Sequence, residues 1–153
     1  MKSPAPAEPD RIVLDQIHGE FIEQAWPLLE PHFALAFRRA PTDLTTETIR
    51  QQAHETRMQL WAIYERDRPL PLLCAAATGI RPRGDERLCE FYAFAGRDLK
   101  TWMRPMLDRF ERMARGQDLQ WLRLEGRPGW QRFLPDFTVV SLTNGRIAME
   151  KRI

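Results

Sequence analysis

The chain has 153 residues, 43% hydrophobic and 29% charged, a balance that supports one folded domain with its own core and excludes a globally disordered chain. Its net charge is only +2, and no run of like charge exceeds a few residues, so the block of basic residues typical of a nucleic-acid-binding arm is missing. The longest apolar run, around "PLLCAAATGI", is too short to span a bilayer.

Residues 1–10, "MKSPAPAEPD", carry three prolines and read as a flexible, extended arm. They lack an apolar stretch of the kind that marks a secretory signal, so synthesis in the cytoplasm is the default expectation. Residues 11–153 read as one domain. "RIVLDQI" is a first strand. From Glu20 onward Ile22, Trp26, Leu29, Phe33 and Phe37 recur at helical spacing, with Pro27 and Pro31 predicting either two short helices or one kinked one. "PTDLTTETIRQQAHETR" offers threonine caps and an early glutamate, and predicts a second helix.

The period then changes. "QLWAIYER", "PLLCAAATGI" and "LCEFYAFAG" are three strands separated by short turns, as in an antiparallel meander. "RDLKTWMRPMLDRFERMARG" is amphipathic, with Leu99, Trp102 or Met103, Met106, Phe110 and Met113 along one face and Gly116 as its stop. "LQWLRLEG" is a strand parallel to the one before the helix, reached by a right-handed crossover. "TVVSLT-NG-RIAMEKRI" is a hairpin around Asn144-Gly145. The order predicts an α/β domain with a mixed, mostly antiparallel sheet flanked by helices.

Few residues carry a chemical signal. Cys74 and Cys89 have no Cys-x-x-Cys partner or ligand-spaced histidine, and His18, His32 and His54 are scattered, so no metal site is expected. All but Lys2, Lys100 and Lys151 of the 23 basic residues are arginine, which reads as solvated faces interleaved with acids, and nucleic acid ranks last among the possible partners. In "LEGRPGWQRFLPDF", Gly126 ends a strand, Pro128 suits a first helical turn and Gly129 admits close packing. Trp130, Phe133 and Leu134 recur at helical spacing as a structural plug, and Arg127 can bridge Glu125 or a C-terminal carbonyl.

The order of elements resembles the Gcn5-related N-acetyltransferase (GNAT) fold. "CEFYAFAG", the tryptophan-bearing helix and "LRLEGRPGWQRFL" resemble small GNAT-like proteins of phages and prophages. The resemblance implies that the strand ending at "FYAFAG" parts from its neighbour and pairs with the pantetheine arm of acyl-CoA. It further implies that the next turn offers amides to the pyrophosphate in the pattern Gln/Arg-x-x-Gly-x-Gly/Ala. Phe94, Gly96, Arg97, Lys100 and Thr101 are thus the implied cofactor-binding residues and Glu90 the implied catalytic base.

This sequence departs from the pattern. Lys100 and Trp102 stand where small residues belong, Pro105 places the start of the regular helix near Arg104, and no tyrosine follows the next strand to act as an acid. The expectation is therefore a virion-associated structural or interaction protein with a degenerate acyl-CoA site and no cofactor, made in the bacterial host cytoplasm and partnered by other phage or prophage proteins, not membranes. The alternative is an active acyl-CoA-dependent N-acyltransferase using acetyl-CoA.

Overall fold

The computed structural model of the chain describes residues 11–143 and 145–153. The arm read over residues 1–10, and Asn144 of the expected turn, lie outside the described residues. In order come β1 (Ile12–Ile17), α1 (Ile22–Arg39), α2 (Thr46–His54), β2 (Gln59–Glu65), β3 (Cys74–Arg83) and β4 (Glu86–Gly96). Then follow α3 (Leu99–Gly116), β5 (Trp121–Gly126), a 3-10 turn (Pro128–Arg132), β6 (Thr138–Thr143) and β7 (Arg146–Arg152).

α1 is one continuous helix despite Pro27 and Pro31. Each proline costs about 3 kcal/mol in an ordinary helix interior. Ile22, Trp26, Leu29 and Phe33, however, fall on one stripe and are buried against the sheet, where a large apolar side chain gains about 1.5–3 kcal/mol. Burial of four such side chains outweighs the local penalty. α2 starts where the threonines predict, with the Thr45 hydroxyl accepting the Thr48 amide at 3.1 Å.

One expectation needs correction. α3 begins at Leu99 and not near Arg104, with Pro105 inside it. Trp102, Met106 and Phe110 recur every four residues and are fully buried, so packing holds the turn ahead of the proline in helical form.

The strands make one seven-stranded sheet in the order β1-β2-β3-β4-β5-β7-β6. Every neighbouring pair is antiparallel except β4 and β5, which α3 links across the sheet. The expected mixed, mostly antiparallel α/β domain is thus the observed fold. α3 covers one face over a core containing Trp61, Phe91, Phe94, Leu122, Leu124 and Met149. α1 and α2 cover the other over Leu60, Ala75, Ala77 and Ala93. The small alanines of β3 and β4 let α1 lie close to the sheet. Thr143 faces Arg146 across the β6–β7 hairpin, and Gly145 takes φ +74°, a left-handed backbone that glycine adopts without strain. No helix among the described residues is long and apolar enough to cross a membrane.

Candidate active site

The sheet has a gap at its centre. β4 and β5 pair in parallel from Leu88↔Trp121 to Phe91↔Leu124 and then separate, although β4 continues to Gly96 and β5 to Gly126. Beyond Phe91 the edge of β4 that faces β5 therefore lacks a strand partner. Backbone donors and acceptors left this way require another partner, a ligand or water. A narrow cleft occupies the gap. β4 forms one wall from Tyr92 to Gly96, the end of β5 forms the other, and the last turn of α1 overhangs it.

Tyr92, at one end of the β4 wall, sits in a β-bulge. Thr78 pairs with Phe91 and Ala77 with Ala93, so Tyr92 has no counterpart on β3. Such an extra residue bends its strand and re-aims the side chains on either side. The Tyr92 ring covers Gly79, where a Cβ would collide with it, and the phenol lies in the electrostatic reach of Glu90. Burial raises the phenol pKa, and the negative charge of Glu90 adds to the effect.

Glu90 does not line the cleft. It is 4% exposed and belongs to a row of charges on the face of the sheet opposite α3. Arg81 lies 3.0 Å from it and Arg123 3.3 Å. Arg123 also reaches Glu150 at 2.9 Å, and Arg83 reaches the same carboxylate at 2.9 Å. Burial pushes the Glu90 pKa up, against the pull of the two arginines.

The β4–α3 turn runs between two lining residues of the cleft, Gly96 and Leu99. Asp98 holds φ +53° and ψ +41° and makes no side-chain cap, an uncommon conformation for a residue with a Cβ. The Thr101 amide bonds back to the Asp98 carbonyl at 2.8 Å. The amides of Leu99 and Lys100, in the first helical turn, have no intrahelical acceptor. Trp102 points into the core, and its indole N–H donates to the Arg97 carbonyl.

The floor is the expected plug, built as a 3-10 turn. The Trp130 indole stacks on Phe94 with centroids 4.4 Å apart, and Leu134 is fully buried behind it. Close packing falls on Gly126, where a Cβ would overlap the Trp130 ring. Gly129 faces open space, so the role expected of it is corrected. The Trp130 indole N–H is buried without an acceptor. The expected bridge from Arg127 to Glu125 is also absent. Both residues line the cleft, and no ion pair joins them among the described residues.

Of the residues implied by the resemblance, Phe94 and Gly96 line the cleft. Arg97 stands in the β4–α3 turn and Lys100 and Thr101 in the first turn of α3, and none of the three is among the residues that line the cleft. Glu90 lies behind the bulge, joined to the cleft through Tyr92. Sequence reasoning missed Glu125, a half-buried carboxylate inside the cleft. Alternation along "WLRLEG" does place Glu125 on the face opposite Leu122 and Leu124. The point at which β4 and β5 part, which exposes it, is a long-range property. His32 on α1 donates from Nδ1 to the Ala95 carbonyl at 3.0 Å, fixing the helix over β4, and burial lowers its pKa. Among the described residues no cluster of side chains could hold a metal ion.

This architecture is the GNAT fold. No protein-family model matches the chain, and no curated protein matches it in sequence. Solved structures do match in three dimensions. An N-acetyltransferase from Staphylococcus aureus superposes with a TM-score of 0.65 at 13% identity, over 92% of this chain and 97% of that one. FeeM, an N-acyl amino acid synthase from uncultured soil microbes, gives 0.62 at 13% identity, over 93% and 91%. NAA60 of Arabidopsis thaliana, solved with acetyl-CoA, gives 0.60 at 14% identity, over 93% and 98%.

These similarities correct the expectation of a virion-associated structural protein. The neighbours that share the fold over nearly its whole length are acetyl- and acyltransferases, and they provide no link to phage proteins. The phosphate turn on which that expectation rested is an uncapped helix start, with the Trp102 ring buried in the core and its indole N–H bonded to the Arg97 carbonyl.

Proposed function

We propose that the chain is an acyl-CoA-dependent N-acyltransferase, the reading held as the alternative from sequence. The observation that carries it is the parting of β4 from β5 after Phe91, which leaves a half-paired strand as the wall of a cleft. The residues present suit the cofactor. The open edge of β4 matches the amides of a pantetheine arm, and the unpartnered Trp130 N–H is a spare donor in the floor. The uncapped start of α3, beside Arg97 and Lys100, suits a pyrophosphate.

Acyl-CoA supplies an activated acyl thioester when bound. The chain's own groups do the rest. The β4 edge and the Phe94–Trp130 floor align the arm and exclude water. Glu125 has no ion-pair partner among the described residues and takes the proton from the acceptor amine. Tyr92 lines the cleft at the bulge, beside Glu90, and offers its phenol as a proton donor. The first test is thermal unfolding with and without acetyl-CoA. Ligand at about 100 times its dissociation constant adds about 2.7 kcal/mol, a shift of several degrees for a domain of this size. No shift at millimolar ligand refutes the reading.

A further inference from the structure

The cleft holds charges of both signs that do not neutralise one another. Glu125 lies on its β5 wall, Arg39 at the end of α1 and Arg146 at the start of β7. Among the described residues none of the three enters an ion pair. Elsewhere arginines find carboxylates readily, as Arg50, Arg104, Arg123 and Arg152 do. Arg146 is half-buried and held in place by its own donors, one Nη1 serving the Ala40 and Pro41 carbonyls. Its charge is therefore fixed, partly desolvated and without a counterion. A guanidinium in that state favours an anion that can use its remaining donors.

The two faces of the sheet divide the work. The uncapped start of α3, with Arg97 and Lys100, serves donor phosphates on the side that α3 covers. Arg39 and Arg146 lie on the side that α1 covers, where alternation along β5 also directs Glu125. Unpaired opposite charges held apart in one cleft complement a ligand whose own charges are separated in the reverse sense.

We propose that the acceptor is a small amine that also bears a carboxylate, an amino acid in chemical class. Its amine is presented to Glu125, and its carboxylate is held by Arg39 and Arg146. The amine nitrogen forms the new amide bond as the thioester C–S bond breaks. Glu125 first takes one proton from the bound ammonium to free that amine, and the second proton lost from nitrogen leaves with the sulfur as thiol. This assignment rests on the acyltransferase reading.

The test uses matched amines that differ only in the carboxylate: alanine against ethylamine, leucine against isoamylamine, phenylalanine against phenethylamine. Thiol release from acetyl-CoA is followed for the full chain and for Arg39→Ala, an exposed position whose loss spares the core. The expected result is a preference of about tenfold or more for the carboxylate-bearing member of at least one pair, the scale of one charged hydrogen-bond contact. Arg39→Ala should erase it by raising KM, leaving kcat and the acetyl-CoA thermal shift unchanged. Equal use of both members overturns the proposal, as does an Arg39→Ala defect confined to acetyl-CoA binding. If no pair turns over, calorimetric titration of the same amines decides. Carboxylate-dependent binding lost in Arg39→Ala retains the subsite and refutes the transferase reading alone, whereas no binding overturns the subsite.

Discussion

The Trp130 indole lies on the Phe94 ring at 4.4 Å, with 28° between the planes, and so joins the two sides of the gap where their strands no longer hydrogen-bond. One stacked pair replaces the missing rungs of the ladder and forms the floor of the cleft.

Removing that floor is costly. Trp130→Ala is expected to destabilise the chain by about 3–5 kcal/mol, as buried aromatic truncations do, read as a lower denaturant midpoint. Gly126→Ala attacks the same contact from below and should lower the midpoint too, while Gly129→Ala, facing open space, should not.

Glu125 and Glu90 separate by kinetics. Glu125→Gln should reduce kcat about 100-fold or more, the usual scale of a general base, while keeping the acetyl-CoA thermal shift. Glu90→Gln should act more weakly on kcat, because Glu90 reaches the cleft only through Tyr92. The reverse order in steady-state rates would transfer the base role to Glu90.

Arg123 bridges two buried carboxylates, Glu90 and Glu150. Arg123→Met removes their shared cation and should cost about 3–5 kcal/mol, as loss of one partner in a buried ion pair does. Replacing Glu90 and Glu150 with Gln in the same chain should recover part of that loss. A triple variant no more stable than Arg123→Met would contradict the electrostatic account.

At acid pH the contact between α3 and the segment before β6 should fail. Arg104 holds the Asp136 carboxyl well below its ordinary value, with Lys151 assisting. A depressed carboxyl contributes stability above its unfolded value, near about 4, and loses it as pH falls through the folded value. Asp136→Asn should therefore be less stable at neutral pH, and the difference should vanish on acidification. Urea midpoints measured from neutral to acid pH test this.

Both thiols should be inert in the native state. Burial pushes Cys89 up to about 12 and Cys74 well above its ordinary value, and a protonated, buried thiol is a poor nucleophile. Ellman's reagent should label neither before unfolding and both after it, so thiol-release assays would carry little protein background.

The elements were legible because each depends on nearby residues. The stripe of α3, the threonine cap of α2 and the β6–β7 hairpin all follow from local periodicity or turn chemistry. The site was only partly legible. Pro105 suggested a late helix start because its first-turn preference is a local rule, while the packing that overrides it joins Trp102 to strands far along the chain. The charge of Glu125 was visible, but its lack of a partner depends on where two strands separate. Tyr92 looked like any strand residue until the mismatch with β3 marked it as a bulge.

The half-paired edge of β4 has a consequence for hydrogen exchange. β4 is paired with β3 along nearly its whole length but with β5 only from Leu88 to Phe91. Amides of β4 that point toward β5 should thus be strongly protected up to Phe91 and abruptly less so from Tyr92 to Gly96. A ligand seated in the cleft would erase that step, reporting occupancy one amide at a time without any chemistry taking place.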